Sequence, residues 1–335
     1  MRLFSGVLLA SACLTLPTVA SPAVVASIKP IHSLVSAVMK NVGEPTLLVK
    51  GSASPHAYSL KPSDAGALEA ADIVFWTGHG MELFLADALD TLSPEAENIE
   101  LAETPGLQLL APREGGAFEP DEHEAEEGHD GEHGDEAHDH GAPDAEEGND
   151  GHGEEAHAGA HHHEGETDMH FWLDPENAKL MVRHIANVLA EADPDNAQAY
   201  SANAESEMAA LDALQAEVDA ALEPVKDRPF VVFHDAYQYF EQRFGLTVAG
   251  SVTVSPEVAP GAARIDDLRT KVTELGATCV FSEPNFEPAI IGAITEGTKA
   301  RSGVLDPEGG ALAKGPELYP TLLRGLAKSL TDCLQ

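Results

Sequence analysis

Residues 195–222 read DNAQAYSANAESEMAALDALQAEVDAAL, and this stretch decides the architecture. Leu211, Leu214, Val218 and Leu222 recur at helical spacing, and no breaker intervenes before Pro224. The spacing predicts one helix of about 28 residues, roughly 42 Å long at the α-helical rise, enough to join two lobes. Working outward, each side alternates short apolar runs with helical patterns. Before it, strands are expected at 23–28, 45–49, 72–76 and 98–101, with helices at 30–40, 62–70, 81–92 and 176–192. After it come strands 230–233, 247–251, 278–282 and 303–305, with helices 236–244, 265–275, 288–299 and 319–333. Continuous apolar strands alternating with helices indicate parallel α/β structure. The expected fold is therefore α/β, with two lobes, each a parallel sheet flanked by helices. A long rigid linker helix joins them, and a ligand site lies in the interlobe cleft. The corresponding boundaries are 24–193, 194–224 and 225–335.

Interrupting the first lobe, residues 118–168 form a run of Asp, Glu, Gly, Ala and His without Lys or Arg. Such a composition has little to bury and is expected to be disordered. Ten of the chain's 16 histidines fall in it: His123, His129, His133, His138, His140, His152, His157, His161, His162 and His163. Imidazoles mixed with carboxylates at flexible spacing suit borderline divalent metals. The plain alternative is an acidic, solvated insert. The tract holds 20 of the 57 acids, which leaves 37 against 19 Lys and Arg elsewhere. That excess repels nucleic acid and argues against a polybasic membrane anchor; cations are the natural partners.

Residues 1–23 read as a secretory signal, a short positive start followed by an apolar, small-residue run. Thr18-Val19-Ala20 and Ser21-Pro22-Ala23 are both candidate cleavage sites. A lipoprotein reading through Cys13 would leave a very short apolar region. Export leaves Cys279 and Cys333, which are expected to form one disulfide across about 54 residues, stabilising by roughly 3–4 kcal/mol.

Six histidines remain outside the tract: His32, His56, His79, His170, His184 and His234. His32 and His184 suit structural helix positions, and His79 is a loop residue near the strand-end face. His56, His170 and His234 each sit where a strand or loop opens into a turn or helix, two in the first half and one in the second. Ligands gather at the carboxyl ends of parallel strands, so this distribution is what a cleft site requires. Glu283 ends a strand toward the same cleft and is a candidate hydrogen-bond partner for an imidazole. Asp64 reads as a helix-start residue and Asp235 as a helix cap. Tyr58, Trp172, Tyr237 and Phe240 read as cleft-wall packing.

The motifs around these residues carry a resemblance that spans nearly the whole mature chain. They are Pro55-His56-x-Tyr58-Ser59-Leu60-x-Pro62-Ser63-Asp64, His170-x-Trp172-Leu173-Asp174-Pro175 and His234-Asp235-Ala236-Tyr237-x-Tyr239-Phe240. Ala277-Thr278-Cys279-Val280-Phe281-x-Glu283-Pro284 and Leu305-Asp306-Pro307 extend them. The chain resembles the periplasmic zinc-binding proteins that feed ABC importers, the ZnuA type of the cluster A-I substrate-binding family. The resemblance implies that His56, His170 and His234 ligate Zn(II), with the fourth position taken by Asp306 or by water. Some relatives place Glu before the first His; here Pro55 stands there. Manganese-selective relatives carry more carboxylates, and His234 at the third position argues against that metal.

The function so implied is a high-affinity periplasmic carrier that captures zinc and delivers it to an inner-membrane ABC permease. It would be a monomer with no catalytic activity, whose affinity falls below about pH 6 as imidazoles protonate. The alternative is a periplasmic zinc buffer or chaperone acting through the His-rich tract. A zinc hydrolase would need a general base beside a metal-bound water, and Glu283 is the one tolerable candidate.

Overall fold

The computed structural model describes residues 21–113, 118, 167–253, 261–274, 276–284 and 288–335. The ten tract histidines and residues 1–20 of the expected signal lie outside them. The first half contains β1 (Val24–Ala26), α1 (Lys29–Val38), β2 (Thr46–Leu47), α2 (Pro62–Glu69), β3 (Ile73–Trp76), α3 (Leu83–Leu92), β4 (Glu97–Glu100) and α4 (Pro175–Ala192). After α5 (Ala197–Leu222) come β5 (Phe230–His234), α6 (Gln238–Phe244), β6 (Val248–Thr253), α7 (Ala262–Glu274), β7 (Cys279–Ser282), α8 (Pro288–Thr295), β8 (Arg301–Val304) and α9 (Leu318–Leu334). The two sheets are fully parallel and run β2-β1-β3-β4 and β6-β5-β7-β8. Each therefore places its second strand outside its first. Both sheets reverse winding between their first and third strands, and crevices for ligands open at such points.

Local chemistry explains where the elements start and stop. Asp64, three residues into α2, accepts the Lys61 amide at 3.0 Å and the Tyr58 hydroxyl at 2.7 Å, the helix-start role expected of it. Asp174 caps α4 by accepting the Glu176 amide at 2.9 Å, with Pro175 in the first turn. β2 is shorter than the apolar run predicts, although Leu48 and Val49 still donate to Ala26 and Ser27 at 3.0 and 2.9 Å. α3 begins two residues late because Gly78–Glu82 forms a turn that sends the Glu82 carboxylate inward. There it accepts from Ser27 Oγ, Thr77 Oγ1 and the amides of Thr77 and Gly78. α8 stops short of the expected 299, and Gly297 just beyond it takes a left-handed φ of 76°.

The long helix forms where the leucine spacing puts it. α5 has 26 residues, flanked by 3-10 turns at Pro194–Asn196 and Glu223–Val225. Its Leu211, Leu214, Val218 and Leu222 are buried, and it packs on α4, α9 and α1 rather than crossing open space. One cluster of buried apolar residues runs from Val24 and Ile31 through Met181 and Leu214 to Phe240 and Leu330. The two sheets thus share a core. Cys279 on β7 and Cys333 on α9 form the expected disulfide, 54 residues apart.

Candidate metal centre

β5 and β7 pair with Phe230 opposite Cys279 and Val231 opposite Val280. Carried along both strands, that register sets His234 opposite Glu283 at the carboxyl ends, the winding reversal of the second sheet. There Glu283 Oε1 lies 2.5 Å from His234 Nδ1 and 3.4 Å from the Tyr237 hydroxyl. The equivalent crevice of the first sheet is filled by Glu82. His170 enters from the loop before α4, held by Asp168, whose Oδ1 accepts the His170 backbone amide at 3.0 Å and lies 2.8 Å from ring Nδ1. His56 sits in a 3-10 turn, Pro55–Ala57, after β2, its amide donating to Ser54 Oγ at 3.3 Å.

These elements bring His56, His170 and His234 together, with one nitrogen of each within 4.8 Å of the others. Ring centroids are 5.5, 5.9 and 5.2 Å apart. Carboxylates accept hydrogen bonds, so the Nδ1 atoms of His170 and His234 carry hydrogen and their Nε2 atoms face each other at 3.3 Å. A tetrahedron with arms of roughly 2.0–2.1 Å, the Zn–N distance, has edges of about 3.3 Å. His56 Nε2 is buried with no hydrogen-bond partner among the described residues, which leaves it available to a ligand. Burial, then the neighbouring His170 and His234, pushes the His56 imidazole down to about 2, so it stays neutral. His234 behaves oppositely. Burial, the largest single effect, would lower its pKa, but Glu283, Asp168 and Asp235 together raise it. Two imidazoles fixed through Nδ1 and a third held neutral by burial suit a borderline divalent metal, which binds them once His234 gives up its extra proton.

Other expected residues fall elsewhere. Asp306 stands outside the three-histidine group, and its Oδ1 accepts the amides of Glu308 and Gly309 at 3.1 and 2.8 Å. Asp235 does not cap α6. The helix starts at Gln238, which leaves Asp235 two residues short of the cap position, and Asp235 pairs instead with Arg113, which also holds Glu241 at 2.8 Å. His79 is exposed and pairs with Glu100 at 3.0 Å, while His32 is buried and structural, as expected. Trp172 packs 5.2 Å from the His170 ring and donates to the Pro307 carbonyl at 2.9 Å, tying the two halves together. Asp168 escapes sequence reading because it ends a run of acids and looks like the rest of them.

Two parallel-sheet halves closing buried imidazoles over a shared crevice define a two-lobed metal-binding protein. The chain belongs to the ZnuA family, zinc-uptake complex component A, periplasmic, whose model matches residues 24–333. It is 53% identical over 323 residues to the high-affinity zinc uptake system protein ZnuA of Brucella abortus (strain 2308), covering 93% of this chain and 91% of that one. To the Yersinia pestis protein of the same name it is 38% identical over 317 residues, covering 94% and 92%. The fold matches a crystal structure of ZnuA with a TM-score of 0.70 at 23% identity, over 94% of this chain and all of that one. A ZnuA deletion mutant with zinc bound matches at 0.69 and 22%, over 94% and 98%.

Proposed function

We propose that the chain is the periplasmic substrate-binding component of an ABC zinc importer, with His56, His170 and His234 holding Zn(II) as cargo through Nε2. The observation that carries the assignment of ligands is the convergence of three imidazoles, one with an orphaned buried Nε2 and two aligned by carboxylates. Relatives covering most of their own length are named for high-affinity zinc uptake, which supports the cargo. Water fills the fourth position in this reading, since Asp306 Oδ1 accepts from its own turn and Asp168 Oδ1 and Glu283 Oε1 each hold an imidazole Nδ1.

Nothing happens to the metal chemically. Capture replaces hydration water with three imidazoles, and delivery passes the ion to the membrane permease. Residues 1–23 act as the cleaved export signal, and the mature chain works as a monomer of lobes 24–193 and 225–335 joined through 194–224. The tract histidines supply weaker donors that raise the local zinc concentration. A zinc titration of the mature chain against a competing chelator tests the site, with each of the three histidines changed singly to Ala. Each variant is expected to lose at least a hundredfold in affinity; tight binding retained by all three would sink the assignment. Deleting 118–167 separates the buffer reading, which needs the tract and not His56.

A further inference from the structure

Asp168 lies in no helix, yet it is fixed from every side. Its amide donates to the Leu110 carbonyl at 2.8 Å, making a single antiparallel bridge between the two ends of the 111–167 segment. Its carbonyl accepts the Tyr239 hydroxyl at 2.6 Å, and the Tyr239 hydroxyl oxygen in turn accepts the Leu110 amide at 2.9 Å. Leu110, Asp168 and Tyr239 thereby close a ring of hydrogen bonds that docks this bridge on α6, the helix following His234. From this mount the Asp168 carboxylate grips both the backbone and the ring of His170. The second oxygen, Oδ2, is buried without a hydrogen-bond partner among the described residues.

The geometry points to Asp168 as a positioning residue for metal capture, holding His170 in the Nδ1–H tautomer so that its Nε2 lone pair faces His56 and His234. This inference rests on His170 being a ligand, as proposed above. It makes the metal site a product of the bridge at the base of the insertion as well as of the strand ends. It also gives His170 and His234 matching carboxylate supports, Asp168 from a loop and Glu283 from a strand, while His56 has no carboxylate among its described hydrogen-bond partners.

The test uses the mature chain and reads the ring tautomer by long-range nitrogen–proton NMR together with zinc affinity. In the metal-free wild type, His170 is expected as Nδ1–H. In Asp168→Ala the Nε2–H form should appear, and zinc should bind 10–100-fold more weakly, the usual cost of losing such a partner. Asp168→Asn keeps the acceptor and should lose less than tenfold with the tautomer unchanged. An Nε2–H wild type would overturn the inference whether or not the Ala variant folds. Affinity within twofold of wild type for Asp168→Ala, alongside loss of binding in His170→Ala, would overturn it and leave the ligand assignment intact. Wild-type affinity in His170→Ala would instead overturn the ligand assignment itself.

Discussion

The Nε2 atoms of His170 and His234 lie 3.3 Å apart, too close for two bare lone pairs to face each other. One nitrogen carries a proton, and His234 is the one whose pKa is raised, burial being outweighed by Glu283 together with Asp168 and Asp235. Without metal, the His234 ring therefore donates through Nδ1 to Glu283 and through Nε2 to His170. In the proposed site, zinc would take the place of that shared proton.

Zinc binding should accordingly release about one proton at pH values below the raised pKa of His234, with affinity climbing about tenfold per pH unit there and levelling above it. The onset lies above the ordinary histidine value near 6.5, higher than the value of about 6 that the sequence suggests. Calorimetry in buffers of different ionisation heat measures the release. Glu283→Gln removes the carboxylate that favours the protonated ring, so its onset should move down in pH. Zero proton release by wild type at pH 6 would contradict this account.

His32 gives an independent pH effect on stability. It is fully buried on α1, with Nε2 3.1 Å from the Pro45 carbonyl and Nδ1 3.3 Å from Ser36 Oγ. A carbonyl only accepts, so Nε2 carries the hydrogen and Nδ1 accepts from the serine. Burial pushes its pKa down to about 4 from the ordinary histidine value of 6.5. Above pH 6.5 both folded and unfolded rings are neutral and stability is complete. As pH falls toward 4 the unfolded ring takes a proton that the folded ring refuses, and about 2–3 kcal/mol is lost by pH 4.5. Urea unfolding at pH 7 and 4.5 should show a smaller difference in His32→Gln than in wild type; equal differences would refute it.

Arg113 should matter for folding in proportion to what it leaves behind. Glu241 is buried, with 8% of its side chain exposed, and Arg113, itself 22% exposed, pairs with it and with Asp235. Arg113→Ala strands two carboxylates, and the expected loss is about 2–3 kcal/mol, less than for a fully buried pair. Arg113→Ala combined with Glu241→Gln should recover part of it in thermal unfolding. No recovery would mean the guanidinium acts through packing alone.

The disulfide joins Cys279, at the start of the strand leading to Glu283, to Cys333 in the last turn of α9. Replacing both cysteines with Ser should cost about 3–4 kcal/mol by freeing a 54-residue loop in the unfolded chain. Denaturant midpoints with and without reductant check this, and a reductant-insensitive midpoint in wild type would count against it.

The alternation of apolar strands with helices was readable because parallel strands buried on both faces are short and continuous, and every expected strand and helix forms within a few residues. The three histidines were readable because each stands at a strand or loop end beside a distinctive motif. Asp168 was not, since nothing local separates it from the acids before it. Asp235 was misread because its partner Arg113 lies 122 positions away and only folding brings them together. Glu283 lay between these cases: its place follows from strand register once β5 and β7 are known to pair. Nor does any local pattern reveal that both sheets lean on one core, because that depends on how α5 and α9 pack together.

That common core has a mechanical meaning. Swinging the halves apart like jaws would bring apolar surface into water, at about 25 cal/mol for each Å² uncovered. The core ties the two halves together, whereas the short turn carrying His56 is half-buried and gripped by no carboxylate among the described residues. With His56 as a ligand, as proposed, that turn is the piece of the site with the fewest ties to the rest of the frame. Shifting a few residues there would undo the three-imidazole arrangement while leaving the common core intact.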